Sequence, residues 1–422
     1  MRTTSLLKNS NSSKCITQKV IHHSKNSPQN STSEKKGNRG ERKRMTSQKQ
    51  SYNQLNGIDP ASQKLIIKWF SIRSLSPSTQ GVYLIYIKQF LKFHDETLYD
   101  FYTTSYKEQE NNTPMTVRQI NNQILEYKFY LDNSKYSDST ITLKIKVILS
   151  FCKALDLEYP RIRLKRSICE SKNYERPLTK EELLLMLNTS PLREQAFLSL
   201  QATTGMGSKE VRTLTLHDLF LCVNKECGTH YTHLAELFQN KEEILGHDVF
   251  ELNIVRKKVS YRYITYTTNE CIERLLRYIE YRYNHSNTKL KIFDDMDEPI
   301  FITHQGTPLS QKAVTGMYRV MGERVGFTTK PYTFRFWRSH NIRKYFYNIV
   351  ESVVGSEYAD EWLGHVPSST TRAYARREYR MRNAYIQCLP YLSLSNSNQE
   401  TDKRVTRKLR ILEKEIQTLL NQ

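Results

Sequence analysis

The sequence predicts a mainly α-helical protein with one small β-sheet, an α+β arrangement in two domains behind a basic arm. Three observations carry this expectation. Apolar residues recur at helical spacing through most of the chain beyond residue 57. Two alternating segments alone, 250–255 and 261–266, read as a strand pair around a basic turn. The 422 residues, 38 % hydrophobic and 11 % aromatic, are enough for two cores of ordinary domain size.

Residues 1–56 are the expected arm. They are rich in Ser, Asn, Lys and Arg, and burial there cannot offset the entropy of ordering. The run Glu41-Arg42-Lys43-Arg44 could graze phosphates, although a solvated tail explains it as well. In 60–72, Leu65, Ile66, Trp69 and Phe70 share a helical face. A second helix is expected to open at Ser78, its N-cap after Pro77, and to present Val82, Ile85, Tyr86, Phe90 and Phe93. Helices at 117–131 and 139–155, the latter carrying Ile141, Ile145, Leu149 and Phe151, complete four. Together they predict an all-α domain over 57–160. Residues 161–176, with Arg161, Arg163, Lys165, Arg166 and Lys172, form a basic linker.

The second domain is expected over 177–393. Thr179 caps its first helix, and helices follow at 192–202 and 208–214. Residues 221–248 read as an insertion before the strand pair. After it come a helix at 269–283, a short strand at 299–303, and helices at 311–325, 339–353, 358–363 and 369–379. In the last segment, 394–422, Val405, Leu409, Leu412, Ile416 and Leu419 make an a/d seam of about two heptads. Such a short seam either docks on its own domain or pairs with a second protomer.

Charge narrows the partner. A formal charge of +21 repels itself unless it meets a polyanion, and duplex nucleic acid is the commonest. The basic residues are spread over both domains instead of lying along one amphipathic helix, which argues against a membrane surface. No apolar run approaches the roughly 18 residues a spanning helix needs. The first seven residues lack the apolar stretch of a signal peptide, so a cytoplasmic, nucleoid-associated protein is expected. Seven widely spaced cysteines suit a reducing compartment. Cys222, Cys227, His230 and His233 have the residue types of a zinc site but crowd together where fingers leave a longer loop. The alternative is a loop holding reduced thiols. Tyr261-Arg262-Tyr263, Arg277-Tyr278 and Tyr281-Arg282-Tyr283 either face DNA or pack in the fold.

Phosphodiester exchange without a metal needs a side-chain nucleophile, cations around the non-bridging oxygens and an acid for the leaving oxygen. The last third of the chain holds such a set. His340 and Arg343 stand three apart, hence on one helical face. Trp362-Leu363-Gly364-His365 follows, and Thr370-Thr371-Arg372-Ala373-Tyr374 puts a tyrosine nine residues after His365. These boxes, in this order and spacing, resemble the tyrosine recombinase (phage integrase, Xer-like) family. Tyr374-Ala375-Arg376 and Pro390-Tyr391-Leu392-Ser393 are similar to its archaeal-type integrases.

The resemblance implies a helical, SAM-like core-binding domain and a tyrosine recombinase catalytic domain, joined by the linker into a clamp around duplex DNA. It makes Tyr374 the nucleophile, a phenol that ordinarily gives up its proton only at about pH 10. Arg343 becomes the phosphate fork, His340 a proton acceptor or second clamp, and His365 a phosphate hydrogen-bond partner. The family's lysine lies in the strand-pair turn and protonates the leaving 5′ oxygen. Counting back from Arg262 puts it at Lys257, with Lys258 the alternative. One element departs: Gly207 stands where the family has its first catalytic arginine, in Thr204-Gly205-Met206-Gly207-Ser208-Lys209-Glu210. Lys209 or Arg212 is left to supply a cation. The implied reaction is a transesterification through a 3′-phosphotyrosyl link, with no cofactor, no metal and no ATP. The implied partners are double-stranded DNA and further copies of the chain, a tetramer on paired sites. Two alternatives stand beside this recombinase reading: a DNA-binding accessory protein of the same fold that has lost cutting, and a type IB topoisomerase-like relaxing enzyme.

Overall fold

The structure, a computed structural model, describes residues 55–164, 176–256, 261–329, 334–365 and 378–394. The chain divides into two units, residues 1–169 and 170–422.

The first unit is built from α1 (Pro60–Ile72), α2 (Pro77–His94), α3 (Leu98–Glu110), a 3-10 turn (Met115–Val117), α4 (Gln119–Asp132) and α5 (Asp138–Ala154). Asp59, Ser76, Thr97 and Ser137 each accept the amide hydrogen three residues on, closing the starts of α1, α2, α3 and α5. Ser76 caps α2, not Ser78. Pro77 fits the first helical position, where its missing N–H leaves nothing unpaired, so the cap is the residue before it. α3 is a fifth helix where the sequence predicts four. Its polar average hides the inward side chains Leu98, Phe101 and Ser105. The core gathers Trp69, Phe90, Phe101, Ile124, Ile148 and Phe151. The indole N–H of Trp69 is satisfied inside it by Ser150 Oγ at 3.2 Å.

The second unit begins with α6 (Lys180–Asn188), α7 (Leu192–Thr204), α8 (Ser208–Arg212), α9 (Leu216–Cys227), α10 (Leu234–Gln239) and α11 (Lys241–Ile244). The antiparallel pair β1 (Val249–Arg256) and β2 (Tyr261–Thr268) follows, with Val249 opposite Thr268 and Arg256 opposite Tyr261. Then come α12 (Asn269–Tyr283), α13 (Gln311–Arg324), α14 (Ser339–Val354), α15 (Ser356–Trp362) and α16 (Glu378–Leu392). Among the described residues the fold is mainly helical with one small sheet, as the sequence predicts.

The structure refines three local expectations. Residues 221–248, read as an insertion, carry the end of α9 and helices α10 and α11, and their Cys222, Val223, Leu234, Leu237 and Ile244 are buried in the main core. Residues 299–303 form no strand; Pro299 pairs with Thr215 and Ile302 with Pro308 only as isolated bridges. In the aromatic-basic runs Tyr263, Tyr278 and Arg282 are buried and pack the fold, whereas Arg262, Arg277 and Tyr281 are exposed. The fork of Arg282 donates to the carbonyls of Pro299 (2.7 Å), Ile300 (2.9 Å) and Leu290 (3.0 Å) and to Glu298. The predicted helix at 369–379 lies outside the described residues except for its last two positions, and the seam from Val405 to Leu419 wholly so.

α7 is the hub of the unit. It is buried throughout from Ala196 to Thr204 and packs on α12, α14 and β2. Thr203 and Thr267 share a hydroxyl contact of 2.8 Å, and Thr265 donates to the carbonyl of Thr204 at 2.8 Å. α16 is tied back on the same hub. Tyr385 donates to the Thr203 carbonyl at 2.7 Å, and Arg382 grips the Glu226 carboxylate through both terminal nitrogens at 2.7 and 2.6 Å. Just past α16, the Glu270 carboxylate accepts from Ser393 Oγ and from the amide of Leu394. Among the described residues no helix is long and apolar enough to cross a membrane.

Candidate active site

α14 presents His340 and Arg343 from one face, three residues apart, as the spacing requires. Arg343 is half-buried, and its guanidinium is the meeting point of three chain segments. Nη1 donates to the carbonyl of Gly205 at 2.7 Å, and Nη2 to that of Leu363 at 2.6 Å. Nη2 also comes to 3.5 Å from Nε2 of His365. Two residues quoted from separate sequence boxes, Arg343 and His365, are therefore brought together, and the Thr204-Gly205 turn joins them.

Local geometry explains the glycines in these boxes. Gly205 ends α7 at φ +65°, and a β-carbon there would fall 2.3 Å from the ring of Phe346 and 2.7 Å from Leu363. Gly364 stands at φ +64°, and a β-carbon would fall 2.6 Å from the ring of Tyr263. Only glycine combines that backbone with that approach. Arg256, the last residue of β1, donates from Nη1 to the Gly364 carbonyl at 2.7 Å. The Leu363-Gly364-His365 box is thus held by Arg343 on one carbonyl, Arg256 on the next and the Tyr263 ring against its glycine.

His365 takes its orientation from Asp360, one helical turn back on α15. Nδ1 lies 2.7 Å from Asp360 Oδ1. A carboxylate only accepts, so the proton sits on Nδ1 and Nε2 is the atom turned to Arg343. Both partners are about half exposed, so this pair orients the ring and adds little stability.

Burial presses the Arg343 guanidinium below its ordinary value, as does the like charge of Arg256, against the pull of Tyr263 and Glu210. A guanidinium starts so high that it stays charged. The neighbouring phenol of Tyr263 is pushed well up by burial and by Glu210, against the pull of Arg343 and Arg256, so it stays protonated. A buried, protonated phenol is a wall of the site and no nucleophile.

A pocket of about 460 Å³ opens beside this cluster, lined among others by Gly207, Arg335, Arg338, His340 and Arg343. Gly207 puts no side chain into it. A β-carbon at that position would fall 2.3 Å from Oε2 of Glu210, so Glu210 occupies the space a side chain there would take. Neither replacement cation named from the sequence reaches this pocket. Lys209 is exposed on α8 and absent from the lining, and Arg212 spends Nη1 on the carbonyl of Leu309 at 3.0 Å. Arg335, Arg338, Arg256 and Asp360 were not singled out by sequence reasoning. For the first two a signal existed in Phe334-Arg335-Phe336-Trp337-Arg338, alternating guanidinium and ring just ahead of His340.

Tyr374, and the lysine pair Lys257 and Lys258, lie outside the described residues. Tyr374 falls in the sequence between His365 and α16, and the lysines fall between the paired residues Arg256 and Tyr261. The four candidate zinc ligands are not gathered into one group. Cys222 is buried in the core, and His233 faces Asp294 at 3.6 Å. Among the described residues no three His, Cys, Asp or Glu side chains are placed to hold a metal ion.

Residues 176–381 match the phage integrase family. The chain is 25 % identical over 287 residues to tyrosine recombinase XerD of Halalkalibacterium halodurans, covering 63 % of this chain and 81 % of that one. Among solved structures it is similar to the XerH site-specific recombinase bound to difH substrate in a pre-cleavage complex. That match is 16 % identical, covers 80 % of this chain and 88 % of the other, and has a TM-score of 0.48. A lambda integrase (75–356) dimer bound to a COC′ core site matches at 15 % identity over 73 % and 96 % of the two chains, with a TM-score of 0.43.

Proposed function

We propose that this chain, whose residues 176–381 match the phage integrase family, is a site-specific DNA recombinase cutting and rejoining strands through Tyr374. The observation that carries the reading is the convergence on Arg343, which joins the Gly205 turn, the Leu363 carbonyl and His365 beside one pocket.

The chemistry follows from the residue types. The phenol oxygen of Tyr374 forms a bond to phosphorus as the bond to the 5′ oxygen breaks, and the strand is left with a 3′-phosphotyrosyl link. His340, exposed on the pocket wall, takes the phenol proton. Lys257, or Lys258 in the same turn, gives a proton to the departing 5′ oxygen. Arg343 turns its remaining N–H groups to the non-bridging oxygens, where charge builds in the transition state. His365, fixed by Asp360, adds a further contact. A 5′-hydroxyl from a second strand then attacks the phosphotyrosyl link and releases the tyrosine. Bond energy is conserved in the link, so the sequence of steps consumes no nucleotide.

Double-stranded DNA is the partner the charge of +21 fits, and exchange between two sites calls for several protomers, a tetramer on paired duplexes. In this reading 57–160 is the core-binding domain and 177–393 the catalytic one, and the protein resides where DNA does. The test is covalent trapping on nicked duplex carrying the element's own attachment sequence. Wild-type protein gives an adduct resistant to denaturant, and Tyr374→Phe gives none. An adduct that survives Tyr374→Phe, or no adduct from the wild type, overturns the proposal. Relaxation of plasmids lacking that sequence would point instead to a topoisomerase.

A further inference from the structure

We propose that Cys227 is a thiol–disulfide exchange site, where a small disulfide attaches to the end of α9 and loosens the grip of Glu226 on α16. The inference goes beyond the recombinase reading and stands whether or not the chain cuts DNA.

Five cysteines fall among the described residues. Cys152, Cys222, Cys271 and Cys388 are buried, and burial pushes each of their thiols up, away from the reactive thiolate. Among these five, Cys227 alone is partly open to solvent.

Its neighbours suit a reacting sulfur. The His247 imidazole lies in hydrogen-bond reach of Cys227, and its Nδ1 is 3.3 Å from Oε1 of Glu226. Those two contacts hold the ring protonated, so a cation stands beside the sulfur. The Glu226 carboxylate is engaged by both terminal nitrogens of Arg382, at 2.7 and 2.6 Å, which leaves less of its charge to oppose a thiolate. Tyr231, also close by, keeps its proton because burial and Glu243 push its phenol up. A thiol attacks a disulfide through its thiolate, and a neighbouring imidazolium supports that form.

The exchange balances. Cys227 gives its proton to water, and its Sγ bonds to one sulfur of the incoming disulfide as the bond between that disulfide's sulfurs breaks. The other half leaves with the electron pair and takes up a proton. Cys227 is thereby oxidised, the departing thiol is the reduced product, and excess thiol reverses the step. The attached group needs room where Cys227 packs against the main core, and the His247 ring is the neighbour it displaces. Moving that ring takes a partner from Glu226, which anchors α16, the helix that follows Tyr374 in the chain.

The test treats the full chain with oxidised glutathione, in a background where Cys15 and Cys169, which lie outside the described residues, are serine. Peptide mass mapping reads the site, and amide hydrogen exchange reads α16. One glutathione should attach at Cys227, raise exchange across Glu378–Leu392, and come off with excess thiol as protection returns. Cys227→Ser should take up none. His247→Gln should react about 3- to 10-fold more slowly through loss of the cation. Loosening alone would expose the sulfur and quicken the reaction, so an equal or faster rate in His247→Gln overturns the proposal. Attachment only at another cysteine, no attachment at all, or a mixed disulfide at Cys227 that leaves exchange in α16 unchanged overturns it as well.

Discussion

The guanidinium of Arg256, at the end of β1, donates to the carbonyl of Gly364 at 2.7 Å, across 108 residues of sequence. This bond links the strand that precedes Lys257 and Lys258 in the sequence with the box that ends in His365. Two regions the sequence joins only by resemblance are thereby joined by one hydrogen bond. Arg256→Ala should let the Gly364 carbonyl and the end of β1 drift relative to one another. A misplacement of about 1 Å in such a site costs on the order of 100-fold in rate. We expect single-turnover adduct formation on nicked DNA to fall by about that factor, while affinity for the duplex changes little. Cleavage at the wild-type rate would show that the bond positions nothing.

Gly364 carries a separate burden. Its φ of +64° costs any other residue, and a methyl group would meet the Tyr263 ring at 2.6 Å. Gly364→Ala is therefore expected to lose about 1–3 kcal/mol from the backbone alone, and more from the contact. Urea unfolding of the two proteins measures this. A midpoint unchanged by the substitution would contradict the assigned geometry.

Arg282 shows how far a local reading of the sequence reaches. In Tyr281-Arg282-Tyr283 the guanidinium reads equally as a DNA contact or a packing group. Folded, it is 1 % exposed and saturated by the carbonyls of Leu290, Lys291, Pro299 and Ile300 and by Glu298. Arg282→Ala should destabilise the protein by about 3 kcal/mol or more, since it strands those acceptors and the Glu298 charge. Binding by the fraction that stays folded should keep its salt dependence. A weaker salt slope, measured by titrating duplex at several ionic strengths, would return Arg282 to the DNA surface.

What the sequence discloses follows from the range of the forces involved. α12 was legible at both ends, because Thr268 caps it and an apolar stripe runs its length. The Thr179 capping box was legible for the same reason. α3 was not, since only Leu98 and Phe101 mark its inner face and the other residues are mostly polar. The boxes around Arg343 and His365 could be found by spacing. Their meeting at the Gly205 and Leu363 carbonyls could not, because backbone acceptors leave no signature in residue type.

A pH dependence arises away from the site, where α9 meets the lead into β1. A hydrogen bond with Cys227 and then one with Glu226, whose Oε1 lies 3.3 Å from Nδ1, hold the His247 imidazole protonated, with its pKa raised to about 10. The unfolded value is near 6.5. A folded value above the unfolded one means the contribution is complete below about pH 6.5 and fades as pH climbs to about 10. Glu226 also anchors Arg382 of α16, so losing the imidazolium loosens the helix that follows Tyr374 in the chain. Melting temperature should decline across that alkaline window in the wild type. In His247→Gln the curve should start lower and run flatter, meeting the wild-type curve at the alkaline end. Parallel curves for the two proteins would mean that His247 does not titrate in this window.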